Sequence, residues 1–151
     1  CAMTTVALPL GARGEVEIMA LALAPGPYDK AVCARSNHGG VAAVRGAGWV
    51  LVSECLGGSG PELAGQTEEQ IRTALNTLSE RLAESGSGVD QVVRLNVYLR
   101  DIYQIGCLEQ LLRERFGADV PVVVVTGAEL RGISEVSLDA VALSDTLGKA
   151  G

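Results

Sequence analysis

The sequence predicts an α+β domain, a mixed sheet with two helices on one face. Residues 67–84 and 102–116 repeat apolar side chains at helical spacing, while other segments alternate with period two. The order reads strands, helix, strand, helix, strands, and it places both helices over one sheet. With 151 residues and 48% hydrophobic content, the chain can bury one sizeable core, so one domain is expected.

Residues 15–23 alternate, with Val16, Ile18, Ala20 and Ala22 opposite Glu15, Glu17, Met19 and Leu21, which predicts a strand. Ala24-Pro25-Gly26-Pro27 ends it, because proline donates nothing to a ladder. Residues 28–40, with Asn37-His38-Gly39-Gly40, read as a loop. Val41–Val44 and Trp49–Ser53 read as a hairpin about Arg45-Gly46-Ala47-Gly48.

The first helix begins at Thr67, where Gln70 completes a capping box. Ile71, Ala74, Leu75, Leu78 and Leu82 form its apolar stripe, and Ser85-Gly86-Ser87-Gly88 stops it. A strand follows over Val92–Leu99. Asp101 then caps a helix carrying Ile105, Leu108, Leu111, Leu112 and Phe116. Pro121 opens an apolar strand, Val122–Val125, whose composition predicts burial on both faces. The last strand spans about Glu135–Leu143, and the tail after Ser144 is small and polar.

A formal charge of −6 argues against a nucleic-acid surface, which needs clustered Lys and Arg. The sequence has no run of about 18 apolar residues to span a membrane. The N-terminus lacks the pattern of a signal peptide, and Cys1-Ala2 before Met3 reads as an appended pair. Cys1, Cys33, Cys55 and Cys107 form no Cys-x-x-Cys pair, and His38 is the single histidine. Free thiols in a reducing cytoplasm are therefore expected, with no metal site. Gly57-Gly58-Ser59-Gly60 lacks the lysine of a phosphate loop and reads as a flexible turn.

The run Gln66-Thr67-Glu68-Glu69-Gln70-Ile71-Arg72 and the strand Val92-Val93-Arg94-Leu95-Asn96-Val97-Tyr98-Leu99-Arg100-Asp101 resemble the RidA/YjgF family of small trimeric imine and enamine deaminases. The resemblance covers about 100 residues, Val41 to Leu143. It implies a RidA/chorismate-mutase-like fold in which three sheets close around an axis, leaving intersubunit clefts. It also implies a biosynthetic enzyme, hydrolase/deaminase-like or lyase/isomerase, that uses no cofactor and acts on a small-molecule substrate. On this reading residues 3–40 are an N-terminal extension, 41–143 the RidA-like domain and 144–151 a tail.

The chain departs from the family pattern at several places. Gly39-Gly40 stands where Pro-Tyr belongs, and Glu54-Cys55 replaces Gly-Gln after Ser53. Val123 occupies the position of the carboxylate-gripping arginine, and Ser137 that of the water-activating glutamate. Carboxylate-bearing imines are therefore expected to be poor substrates. In a rival alignment, Gly26-Pro27-Tyr28 followed by Ala31-Val32 matches the family's opening motif, and Glu15-Val16-Glu17-Ile18 resembles its closing strand. The N-terminal segment then reads as an added strand beside the main sheet, with a relic of tandem duplication as the alternative.

Glu54 is the first candidate acid or base, since it follows an apolar strand where the family's backbone lines the cleft. A solvated carboxylate at a strand end is the competing reading. His38, in its glycine-flanked loop, is the second catalytic candidate, against a lone surface histidine. Arg131 and Arg35 are candidate replacements for the anion clamp, because guanidinium grips carboxylates bidentately. Glu109 and Ser137 occupy cleft positions in the family pattern. Tyr28 and Glu17 join the substrate site if the N-terminal segment folds over it. Cys55 reads as a buried core residue. Beside the enzyme stands a non-catalytic trimeric module that binds a small ligand or partner.

Overall fold

The computed structural model describes residues 26–27, 29–37, 39–58, 60–117, 121–130 and 132–145. The strand expected at 15–23 lies outside them, as do Glu17, Tyr28, His38 and Arg131. The elements are β1 (Ala31–Arg35), β2 (Val41–Gly46), β3 (Trp49–Leu56), α1 (Thr67–Glu84), β4 (Val92–Leu99), α2 (Ile105–Phe116), β5 (Val122–Thr126) and β6 (Val136–Leu143). They build one six-stranded sheet in the order β1-β2-β3-β6-β4-β5. The β4–β5 pair is parallel and the other neighbours are antiparallel.

The core lies between the helices and one face of the sheet. Ile71, Leu78 and Leu82 of α1 and Leu108 of α2 join Val50, Val97, Leu138 and Ala142 in one buried cluster. Strand alternation leaves Leu51, Arg94, Asn96, Tyr98, Ser137, Asp139 and Val141 on the other, helix-free face. The β2–β3 hairpin closes more tightly than expected, through the two residues Ala47 and Gly48. Their φ angles of 51° and 79° are the pair that a type I′ turn requires.

Several local expectations need correction. Residues 31–35, expected as loop, form strand β1 against β2, the outermost strand on that side among the described residues. Val32 suits a strand, Cys33 and Ala34 pack on the core, and Ser36 N–H donates to Gly40 O at 2.9 Å as the chain returns to β2. β5 is not buried on both faces. Among the described residues β4 alone lies beside it, and Val123 and Val124 stay 46% and 38% exposed.

The capping box at α1 does not form either. Gln66 is the N-cap with no side-chain bond, and buried Gln70 turns to the loops instead. Its Nε2 donates to Leu63 O at 2.8 Å, and its Oε1 accepts from Glu135 N–H at 2.8 Å. At the far end the helix stops as expected, with Ser87 N–H on Leu82 O and Gly86 N–H on Ala83 O, a Schellman pair. Asp101 caps a short 3₁₀ turn, Ile102–Gln104, that leads into α2.

Gly57 belongs to no flexible turn. Its N–H donates to Val136 O and Ser134 Oγ, both at 3.0 Å, and a Cβ there would sit 2.7 Å from Val136 Cγ1.

Candidate functional site

Strand β3 bulges in the middle of the sheet. Val52 pairs with Ala140 and Cys55 with Leu138, so Ser53 and Glu54 together face the single residue Asp139. Such an insertion bends the strand and re-aims its side chains. Glu54 has φ 54°, a left-handed backbone that residues with a Cβ rarely adopt, and it is half-buried. The bulge also puts Cys55 into the core, fully buried. Burial pushes its thiol from 9.0 up to about 12, against the nearby Arg81 guanidinium, so it stays protonated and unreactive at neutral pH.

Asp139 anchors a polar ladder on the helix-free face. Its carboxylate accepts from Asn96 Nδ2 and from the Tyr98 hydroxyl. With its amide nitrogen committed to Asp139, Asn96 turns its Oδ1 to accept Arg94 Nε at 2.9 Å. Burial, then the Asp139 charge, raises the Tyr98 hydroxyl to about 12. Ser137 pairs with Tyr98 in the β4–β6 register and is fully buried. Its Oγ has no hydrogen-bond partner among the described residues. A buried hydroxyl left so is costly unless water or a ligand reaches it. Val123 lies beside Asn96 in the parallel pair, one strand outward.

Glu54 and Ser137 are thus within two neighbouring strands, around Asp139. Arg35 ends strand β1, where its Nη1 donates to Gly39 O at 3.4 Å, two strands away from β3. Glu109 is exposed on α2, in the helical layer. Within one chain neither joins Glu54.

Sequence reasoning missed Arg94, Asn96, Tyr98 and Asp139. Their signal was available: 94, 96 and 98 are polar or half-polar at period two within an otherwise apolar strand.

A separate cavity of about 470 Å³ lies on the helical side, lined by Gly65, Thr67, Arg100, Asp101, Tyr103, Gln104, Cys107 and Glu135. It is the more obvious hollow, yet its polar groups are spent on the fold. Glu135 accepts from Gly65 N–H at 3.2 Å, Thr67 Oγ1 at 2.5 Å and Gln104 Nε2 at 2.9 Å. Arg100 donates to the carbonyls of Leu130, Gly132 and Ser134. The β3 bulge and the ladder beside it form the better candidate.

A mixed sheet of this order under two helices, with a bulged central strand, defines an α+β protein of the RidA type. Residues 22–143 match the family described as Endoribonuclease L-PSP, and the chain belongs to that family, the RidA/YjgF proteins. It is 31% identical over 98 residues to the RutC family protein UK114 of Drosophila melanogaster, a stretch that is 63% of this chain. The chain spans 62% of the length of that relative. Among solved structures it resembles YyfA, of the Rid protein family, from Yersinia pestis (TM-score 0.68, 16% identity, 76% of this chain and 99% of that one). The YjgF family member NMB1025 of Neisseria meningitidis (0.65, 21%, 77% and 95%) and yeast Mmf1 (0.66, 19%, 76% and 94%) share the fold as well. Among the described residues no helix is long and apolar enough to cross a membrane.

Proposed function

We propose that this chain is a divergent RidA-like enzyme acting on a small reactive molecule, an imine, an enamine or a biosynthetic intermediate, by proton transfer or water addition. Glu54 is its acid/base residue, and the observation that carries this reading is its left-handed backbone within the β3 bulge. Strained non-glycine residues gather at functional sites, because something else must hold them there. Ser137, whose hydroxyl has no partner among the described residues, supports the reading as a hydrogen-bonding group for substrate. His38, Arg131, Arg35, Glu109, Tyr28 and Glu17 complete the proposed set. In this reading three copies press their helix-free faces together in the cytoplasm, and neighbouring subunits bring the remoter residues to each cleft.

Glu54→Gln is expected to abolish turnover of a substrate found by screening imines and enamines, while the assembly stays intact. Unchanged activity would remove Glu54 from the chemistry. Carboxylate-bearing imines are expected to turn over weakly or not at all, since Val123 offers no guanidinium; robust deamination of them would contradict this. With a charge of −6 no RNA cleavage is expected either.

The second reading, a non-catalytic module that binds a ligand or partner, is favoured by Val123 and Ser137 standing where the family has arginine and glutamate. It predicts ligand binding that Glu54→Gln leaves without any associated turnover to lose.

A further inference from the structure

Arg81 is the one side chain of α1 that reaches the bulge in the hydrogen bonds described. From the last turn of the helix its Nη1 donates to Ser53 O at 2.5 Å and Glu54 O at 3.0 Å, and approaches Cys55 Sγ at 3.6 Å. Those two carbonyls belong to the residues that face Asp139 as a pair, where the strand ladder is interrupted. Interrupted backbone groups at the edge of a core need partners.

The second carbonyl has a particular meaning. In the left-handed region the Cβ crowds the carbonyl oxygen that follows it, which is why glycine is favoured there. For Glu54 that oxygen is the one Arg81 holds. A charged donor makes a stronger bond than a neutral one. It can therefore offset the crowding that a glutamate brings to this position.

We propose that Arg81 is a positioning residue: by holding the carbonyls of Ser53 and Glu54, it lets a residue with a side chain occupy the left-handed site and so aims the carboxylate of the proposed reaction. This rests on the reading of Glu54 as acid/base residue for its purpose, but not for its test. The competing explanations are that Arg81 merely complements the C-terminal end of α1, or that it pairs with the Glu54 carboxylate.

Three backgrounds separate these. Arg81→Met is placed in the parent, in Glu54→Ala and in Glu54→Gly, and unfolding by urea is followed at one fixed protein concentration. Alanine keeps the Cβ strain without the carboxylate, and glycine removes both. Arg81→Met is expected to raise the unfolding constant about tenfold or more in the parent and in Glu54→Ala, the scale of lost charge-assisted bonds. In Glu54→Gly the rise should be at least about threefold smaller than in Glu54→Ala, because a glycine backbone can shift to relieve its carbonyls while one bearing a Cβ cannot.

An equal penalty in all three backgrounds overturns the proposal in favour of plain helix stabilisation. A penalty already lost in Glu54→Ala overturns it in favour of a side-chain pair. Should Arg81→Met fail to fold in the parent, Arg81→Lys keeps the charge but not the fork. The same alanine–glycine contrast at smaller size is then expected, and its absence counts against the proposal. No substrate enters these measurements, so they stand or fall separately from the turnover test of Glu54→Gln.

Discussion

Glu54 and Cys55 are adjacent in sequence, yet they meet different fates. Regular alternation would put them on opposite faces and make one of them solvent-facing by default. The bulge instead gives Glu54 a left-handed backbone and Cys55 a place in the core. Glu54→Gly is therefore expected to be about 1 kcal/mol more stable than Glu54→Ala, the cost of a Cβ in that region, read from urea midpoints. Cys55 carries a pH signature. Its folded thiol titrates near 12 rather than 9.0, so the folded state binds the proton more tightly than the unfolded chain does. That stability is complete below pH 9 and is lost as pH rises through 9 toward 12. Cys55→Ala should flatten the alkaline decline in stability, and Cys55 should react with a thiol reagent far more slowly than half-buried Cys33 and Cys107. At this scale the sequence marked Glu54 as unusual but held no sign of the bulge, since the insertion exists only relative to β6. Asp139 and Arg81 were overlooked for the same reason: their importance comes from what lies across the sheet.

At the scale of elements, α1 and the start of β6 are tied by two side chains. Gln70 joins Leu63 O to Glu135 N–H, and the Glu135 carboxylate returns to Gly65 and Thr67. Gln70→Leu fills the same space but strands a donor and an acceptor, at an expected cost of about 2 kcal/mol measured by denaturation. Gly57→Ala should cost about 1–3 kcal/mol, because its methyl group meets Val136 and Gln70 in packed surroundings. Helices and inner strands were legible because their apolar periodicity is strong: Ile71 to Leu82 and Val136 to Ala142 are buried as the pattern demands. The capping box was misread because a Thr-x-x-Gln spacing does not reveal a tertiary competitor for the glutamine. β5 was misread because four consecutive valines signal apolar surroundings, not which neighbours supply them.

For the whole molecule, the helix-free face carries both apolar side chains and the ladder from Arg94 to Asp139. Val141 lies at its centre, between Leu51 of β3 and Arg94 of β4. If that face buries against other copies, Val141→Lys should yield folded monomers in sedimentation, with the circular dichroism of the parent, because a lysine there opposes burial more than it disturbs the core. A parent chain that is already monomeric at micromolar concentration would end the three-copy arrangement. β6, the last of the described elements in chain order, is also the strand that separates β3 from β4. During synthesis, then, β3 and β4 must wait, each with one set of ladder groups open, until residues 136–143 leave the ribosome. A chain cut at residue 135 is expected to collect in the insoluble fraction or on chaperones, since its halves have no strand to join them.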